Sequence, residues 1–169
     1  MTRQNINSRP EMSNMLICAN LLVRDGEKYF VMKRSLKKKF APGYVVPYGG
    51  KLNLGENAIN CAIRELAEES GLTAKDITLS AVVTEIHESP QMLGNWLTYY
   101  FVGNYKSGDL IVTPEGENLK LTLPELKKEK LFPSFREILP FITVSERPVV
   151  AVCKYNNNHE LIENEIISC

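Results

Sequence analysis

The chain has 169 residues, with 20 basic and 20 acidic side chains and therefore no formal net charge at pH 7. This length predicts one domain with a buried core, and the balanced charge argues against a nucleic-acid polymer or a membrane surface as a partner. The four cysteines, Cys18, Cys61, Cys153 and Cys169, show no C-x-x-C spacing. We interpret them as reduced thiols of a cytoplasmic protein.

The chain is predicted to begin with a flexible tail, followed by a pair of strands. Residues 1–13 are polar and are expected to be loosely ordered, whereas residues 14–169 are predicted to form the single domain. Residues 15–24 and Lys28–Arg34 are predicted to be antiparallel strands, joined by a turn at Asp25-Gly26.

A loop over residues 35–43 follows, and it contains the basic run Lys37-Lys38-Lys39. Such a run is usually part of a solvated loop. If it borders a binding site, it would attract an anionic ligand over a long range. Residues 44–47 are predicted to be a short extended segment.

A helix is predicted from Glu56 or Asn57 to Ser70. Asn57 is a suitable N-cap, and Gly71 suits the left-handed conformation that ends many helices. One face carries apolar residues at helical spacing, which predicts that the helix packs on a sheet. The residues of this stripe are Ala58, Ile59, Ala62, Ile63 and Leu66.

After this helix, further strands and short helices are predicted from β-branched and aromatic runs and from capping signals. The strands are residues 77–88, 96–105, 119–123, Val149–Tyr155 and 160–167, and the helices are residues 124–130 and 134–142, with Ser134 as the N-cap of the second. This mixture predicts an α+β fold, in which a sheet has a helix packed on each side.

Three glutamates of the predicted helix, Glu65, Glu68 and Glu69, are three and four residues apart and therefore share one face. Like charges on one face repel each other, so the pattern favours a bound cation; a solvated acidic face is the alternative. Carboxylate oxygens favour Mg²⁺ or Mn²⁺, whereas Zn²⁺ is typically bound by His or Cys. Gly49 and Gly50 would let the backbone approach a metal ion or a phosphate closely.

Residues 50–72 resemble the Nudix box, the signature of the Nudix hydrolases. The box is Gly, five residues, Glu, seven residues, Arg-Glu, an aliphatic residue, any residue, Glu-Glu, any residue, Gly and an aliphatic residue. Its fixed positions are filled by Gly50, Glu56, Arg64, Glu65, Leu66, Glu68, Glu69, Gly71 and Leu72. The resemblance implies the Nudix fold, an α/β/α sandwich with a mixed sheet, and hydrolysis of a pyrophosphate bond.

Carried over to the matching positions, the resemblance also implies how a metal ion is bound. Glu68 and Glu69 would be the principal ligands of Mg²⁺, for which Mn²⁺ could substitute, and the Gly49 carbonyl would assist. Glu65 would be a further ligand or the general base.

The resemblance assigns a positioning role to Arg64, which would pair with Glu56 and fix the geometry of the carboxylates. Because the general base differs among family members, it could also lie outside the box. Glu115 and Glu117 are the nearest candidates; the alternative is that both are ordinary acidic residues of a loop.

Residues from about Leu21 to Ile167 are similar to the animal-type branch of the family, which hydrolyses oxidised purine nucleoside triphosphates to the monophosphate and pyrophosphate. Pro47-Tyr48-Gly49-Gly50-Lys51 stands where that branch has Gly-Phe-Gly-Gly-Lys. Phe40 and Phe132 fall at its aromatic pocket positions and would lie against a base; core packing is the alternative. The predicted substrate-binding residues are Phe40, Tyr48, Gly50, Lys51, Phe132 and Glu117.

The chain departs from that branch at the residues that read the base. Val46 stands where the branch has Asn, and Phe132-Pro133-Ser134-Phe135 replaces Trp-Pro followed by two aspartates. Polar groups normally carry much of the discrimination between bases. The resemblance therefore implies the phosphate chemistry of the branch, but not its specificity for oxidised purines.

The resemblance thus implies a divalent-metal-dependent hydrolase, similar to 8-oxo-dGTP diphosphatases, that converts a nucleoside triphosphate, with or without a modified base, into the monophosphate and pyrophosphate. Its partner would be a small-molecule nucleotide, and the protein would be a monomer or a homodimer. One alternative is an ADP-ribose or nucleotide-sugar pyrophosphatase. Such enzymes usually carry a marker downstream of the box, which Ser89-Pro90 matches only weakly. The other is a non-catalytic nucleotide-binding module, which predicts that Glu65, Glu68 or Glu69 would be replaced by another residue; all three are present.

Overall fold

The structure is a computed structural model that describes residues 15–88, 94–145, 147–158 and 160–169. The predicted loose segment, residues 1–13, and the dipeptide Ser89-Pro90 lie outside these ranges. Within them, no helix combines the length and the apolar character that spanning a membrane would require.

The described residues form nine strands and three helices. In chain order they are β1 Met15–Asp25, β2 Lys28–Arg34, β3 Val45–Val46, β4 Tyr48–Lys51, α1 Ala58–Ser70, β5 Thr73–His87, β6 Asn95–Ser107, β7 Gly116–Thr122, α2 Leu123–Leu126, α3 Pro133–Ile142, β8 Val149–Tyr155 and β9 Leu161–Ser168.

The strands belong to one mixed sheet whose main order is β3-β2-β1-β6-β5-β8-β9. β1 pairs in parallel with β6, and β5 pairs in parallel with β8, whereas the other pairs are antiparallel. The edge of β1 that faces away from β6 is shared by two strands: residues 23–25 pair with β2 and residues 18–21 pair with β4. This division of β1 brings the glycines of β4 beside the sheet centre.

Each face of the sheet carries its own apolar cluster. Because neighbouring side chains on a strand point to opposite faces, Leu21 and Val23 pack with α1 residues such as Leu66, whereas Leu22 packs with α3 residues such as Phe135. The helices therefore cover both faces of a mixed sheet, which confirms the predicted α+β, three-layer arrangement.

The ends of α1 agree with the prediction, and local hydrogen bonds explain them. The Asn57 side chain accepts a hydrogen bond from the Asn60 backbone N–H at 2.9 Å, which satisfies a donor that the first turn leaves free. Gly71 has a φ of 76° and ends the helix in the left-handed conformation.

The buried face of α1 includes Ala62 and Leu66 of the predicted apolar stripe, and Ala58 packs against the same cluster, but two residues of the stripe are exposed. Ile59 and Ile63 are 37% and 44% exposed. The buried residues are Cys61, Ala62, Leu66, Glu69 and Ser70. The helix is thus rotated so that Cys61, Glu69 and Ser70 face the sheet in place of the two isoleucines. Glu69 is held there by a backbone N–H of β4.

The two later helices also differ from the prediction. α2 ends at Leu126, and residues 127–129 continue only as turns, so the predicted helix over residues 124–130 is too long. α3 begins at Pro133 with Phe132 as its N-cap residue. Ser134 is not the cap, because its hydroxyl group donates a hydrogen bond to the buried Glu85 carboxylate instead.

Candidate active site

A cavity of about 740 Å³ lies between α1, β4 and the divided part of the sheet. Its size falls within the usual range for small-molecule sites. At one end it is lined by carboxylates of α1 and by β4. Elsewhere its walls are aromatic rings, and alternate residues of β1 and β6 line it from the sheet.

Arg64 holds the box carboxylates together. Its Nε and one terminal nitrogen donate hydrogen bonds to both carboxylate oxygens of Glu56, each at 2.9 Å. The other terminal nitrogen donates to Glu65 at 2.7 Å and to Glu68 at 3.3 Å. The Arg64 hydrogen bonds, helped by the Asn53 backbone N–H, lower the pKa of Glu56 to about 2. The structure thus contains the predicted Arg64–Glu56 pair, and it shows that the same guanidinium also restrains two further carboxylates.

Glu69 is the buried member of the carboxylate group, with 6% of its surface exposed. Its helical spacing predicts only that it shares a face with Glu65 and Glu68. Its Oε2 accepts a hydrogen bond from the Gly49 backbone N–H at 3.0 Å. The pKa of Glu69 is raised to about 7, chiefly by burial; the Gly49 N–H lowers it and the charge of Glu65 raises it, and both effects are included in this value. A bound cation would offset the cost of this buried charge.

Two glycines of β4 border the carboxylates and leave space that a Cβ would fill. A Cβ on Gly50 would lie 2.5 to 2.8 Å from the Glu65 carboxylate atoms, and a Cβ on Gly49 would overlap the Ala19 carbonyl oxygen and the Asn20 side chain. The Glu65 carboxylate therefore occupies the space that any other side chain at position 50 would fill.

The donor set fits a hard divalent cation. Glu65, Glu68 and Glu69 all line the cavity beside Gly49, and the available donors are carboxylate and carbonyl oxygens, which Mg²⁺ prefers. Within the described ranges, no group of three or more His, Cys, Asp or Glu side chains is already gathered as a metal site. The hydrogen bonds explain this, because Glu65 and Glu68 are engaged by Arg64 and Glu69 by the Gly49 N–H.

Three aromatic rings form a wall of the cavity. Phe40 lies between Trp96, at a centroid distance of 4.4 Å, and Phe132, at 5.3 Å. The structure therefore brings together the two predicted pocket residues. The sequence did not predict Trp96 in the wall; its position in the β6 register, beside β1 and β5, places it there. Phe135, three residues after Phe132, lies in the core instead.

The part of the cavity formed by the sheet follows strand alternation. Leu16, Cys18 and Asn20 of β1 pair with Trp96, Thr98 and Tyr100 of β6, and all six line the cavity. Glu85 of β5 completes this surface beside Trp96, its partner in the register. None of these positions was singled out by the sequence, because their proximity depends on strand pairing.

Two predicted substrate-binding residues lie elsewhere. Tyr48 is fully buried in the core on the α1 side, and its hydroxyl group donates to the Val31 carbonyl at 3.3 Å. As the neighbour of Gly49 on β4, its side chain points away from the cavity. Glu117 is exposed on β7 opposite Lys33 and is not among the cavity residues. The remaining four, Phe40, Gly50, Lys51 and Phe132, line the cavity.

Glu115, the other acidic candidate outside the box, does line the cavity. Its carboxylate forms a salt bridge with Lys38 at 2.5 Å. One lysine of the basic run therefore borders the site, and Arg34 and Lys51 add cationic side chains to the cavity wall.

Comparison with known proteins identifies this arrangement. A family model described as the NUDIX domain matches residues 16–142. A MutT protein from Bacillus halodurans has a similar structure, with a TM-score of 0.79 and 21% identity over 90% of this chain and 97% of that one. A MutT NUDIX hydrolase from Burkholderia pseudomallei gives 0.67 and 20% over 79% and 100%. An ADP-ribose pyrophosphatase from Streptococcus suis gives 0.59 and 14% over 80% and 96%. At these identities the structural similarities show the fold alone.

Proposed function

The chain belongs to the Nudix family and is a hydrolase of phosphorus-containing anhydrides, and from this premise we propose that it converts a nucleoside triphosphate into the monophosphate and pyrophosphate with the help of a divalent cation. One observation supports the substrate class above all. A single cavity joins the α1 carboxylates to a wall of three aromatic rings. Such a cavity suits a nucleotide, because the phosphates require polar and charged surroundings whereas the base packs against aromatic rings.

The cation would be held by Glu68 and Glu69, with the Gly49 carbonyl assisting and Glu65 as a further ligand or as the base. We propose Mg²⁺, with Mn²⁺ as a substitute, because all these donors are oxygens. When bound, the cation supplies positive charge at the phosphate oxygens and makes a water more nucleophilic.

The residues of the chain position the reacting groups. Arg64 is a positioning residue, because its hydrogen bonds to Glu56 and Glu65 fix the carboxylates without lining the cavity. Arg34 and Lys51 line the cavity and would neutralise phosphate charge. Water attacks one phosphorus, the bridging P–O bond breaks, and pyrophosphate leaves. The proton of the water passes to a carboxylate, for which Glu65 and Glu115 are the candidates in the cavity.

The aromatic rings would hold the base. Phe40 and Trp96 present their rings to the cavity next to Phe132, and base–aromatic stacking is sequence-tolerant because every base has a π face. Aromatic contact alone therefore supports a nucleotide and does not choose among bases. The cytoplasmic location and the monomeric or dimeric state remain predictions.

The decisive test is a substrate panel in the presence of Mg²⁺, with products separated by chromatography. The panel contains the four common deoxynucleoside triphosphates, 8-oxo-dGTP, 2-hydroxy-dATP, ADP-ribose, a UDP-sugar and a dinucleoside polyphosphate. We expect monophosphate and pyrophosphate from at least one triphosphate. Cleavage of ADP-ribose or the UDP-sugar alone would replace the proposed substrate, and no turnover with intact metal binding would favour a binding module.

A further inference from the structure

We propose that Glu85 reads the nucleobase: its buried carboxylate accepts a hydrogen bond from an N–H group of the base that lies against the aromatic wall. This inference rests on the proposed nucleotide function and adds a residue that determines which bases are accepted. The Nudix box itself offers no such residue, because its side chains lie at the phosphate end of the cavity.

Glu85 stands beside the aromatic wall because of strand pairing. It lies opposite Trp96 in the antiparallel register of β5 and β6, so the two side chains leave the same face of the sheet. Glu85 lines the cavity although only 2% of its surface is exposed. The other carboxyl groups that line the cavity are Glu65, Glu68 and Glu69 on α1 and Glu115 before β7. Glu85 is thus the carboxyl group that the sheet itself contributes.

The hydrogen bonds of Glu85 leave one acceptor position on the side of the cavity. Ser134 and Tyr155 donate to Oε1 at 2.7 and 3.3 Å, and neither residue lines the cavity. Thr98, which does line it, donates to Oε2 at 2.9 Å. A carboxylate has about four acceptor positions. The two acceptor positions on Oε1 are occupied by residues outside the cavity, and the free acceptor position is on Oε2.

A purely structural role does not account for this carboxyl group. Among the described residues its partners are three hydroxyl groups, and it forms no ion pair. Burial of a charge without a cationic partner is costly, and an apolar side chain of similar volume is often at least as stable. The pKa of Glu85 is raised, because the effect of burial exceeds that of the three hydroxyl donors, which lower it. The three donors leave one acceptor position, on Oε2, for a further hydrogen bond.

The free acceptor predicts which bases bind well. Adenine and guanine carry an amino group, and guanine a ring N–H as well, whereas unsubstituted purine has no N–H group on these edges. With purine the buried acceptor of Glu85 is left without its partner, so we expect the purine triphosphate to be turned over with a kcat/KM about 10- to 100-fold lower.

Glu85→Gln reverses the group that faces the base. The amide oxygen keeps the two donors, Ser134 and Tyr155, and this places the amide NH2 at the position of Oε2, beside Thr98. The cavity then presents a donor where the wild type presents an acceptor. The ratio of kcat/KM for the adenine or guanine triphosphate to that for the purine triphosphate should fall below about 3 or invert.

Ser134→Ala is the matched control, because it removes a hydrogen bond from behind Glu85 and leaves the cavity wall unchanged. If Glu85 only supports the fold, both variants should lower turnover of all triphosphates alike. We expect instead that Ser134→Ala keeps the wild-type ratio and Glu85→Gln loses it, with thermal unfolding measured for both.

The outcomes separate this inference from the proposed function. Active wild type without a preference over purine overturns the role of Glu85, and so does a preference that survives Glu85→Gln. If Glu85→Gln does not fold, the wild-type ratio decides by itself, and a value near one refutes the role. Absence of any triphosphate hydrolysis overturns the proposed function and the role together.

Discussion

Gly50→Ala would test whether the position of the Glu65 carboxylate controls the chemistry. The added Cβ would lie 2.5 Å from one carboxylate oxygen of Glu65 and 2.6 Å from its carboxyl carbon. Ordinary contact begins near 3.4 Å, so the carboxylate must move by about 1 Å. The hydrogen bond from Arg64, now at 2.7 Å, must lengthen or change direction.

The magnitude follows from the size of that displacement. A misplacement of about 1 Å in a catalytic group costs on the order of 100-fold in rate. The cost in stability should be small, because the group that moves is the end of a flexible side chain and Gly50 does not have a positive φ. We therefore expect kcat/KM to fall about 100-fold, while the free energy of unfolding changes by less than about 1 kcal/mol.

The assay is hydrolysis of the best triphosphate with Mg²⁺, together with denaturant unfolding of the same preparation. Gly26→Ala is the matched control, since its φ of 60° strains any other residue and its Cβ would meet nothing within 4 Å. This variant should lose about 1 kcal/mol of stability and keep its kcat/KM. Wild-type activity in folded Gly50→Ala would refute the claim that Glu65 must stay where the glycine places it.

Other variants and conditions probe the remaining parts of the structure. Glu69→Gln should lower kcat by at least about 100-fold with an unchanged fold, because it removes a cation-binding charge but keeps an acceptor for the Gly49 N–H. Full activity of this variant would show that Glu69 is not a ligand of the cation. Phe135→Ala should cost about 3 to 5 kcal/mol in denaturant unfolding, since the ring is fully buried, whereas Phe132→Ala, at the cavity, should mainly raise KM. The pKa of Glu56 is lowered from 4.5 to about 2 in the folded chain, so its stabilising contribution is present above pH 4.5 and is lost as the pH falls towards 2. Thermal unfolding should show this loss in the wild type, and a Glu56→Gln variant should show less of it.

The carboxylate end of the site was predictable because it is local. Residues 49–69 supply the glycines, the helix and its three glutamates, and helical spacing alone brings Glu65, Glu68 and Glu69 together. The capping residues fixed the ends of α1 for the same reason. The rotation of the helix was not predictable in this way, since it depends on the hydrogen bond between Glu69 and Gly49 across the site.

The opposite end could not be derived from local patterns. Glu85 and Trp96 meet through the register of β5 and β6, and the facing residues of β1 are about 80 positions away from their partners on β6. Ser134 shows the difficulty well. Serine is a favoured N-cap residue, and Ser134 lies at the start of α3. Its hydroxyl group nevertheless donates its hydrogen bond to the buried carboxyl group of Glu85 on β5.

The carboxylate end of the site comes from a local segment and the aromatic end from strand pairing, and this difference separates the residues proposed for hydrolysis from those proposed for base recognition. The phosphate end comes from one contiguous segment, in which Arg64 ties the carboxylates to one another and few substitutions leave the geometry intact. The base end combines a loop residue, Phe40, with β5, β6 and Phe132 before α3, so each wall residue can change without moving the glutamates of α1. In the proposed role, the carboxyl group of Glu85 would change which bases the wall accepts without moving the carboxylates of α1. The proposed role of Glu85 would thus place substrate choice in residues that the box motif does not contain, and the register of β5 and β6 brings these residues together.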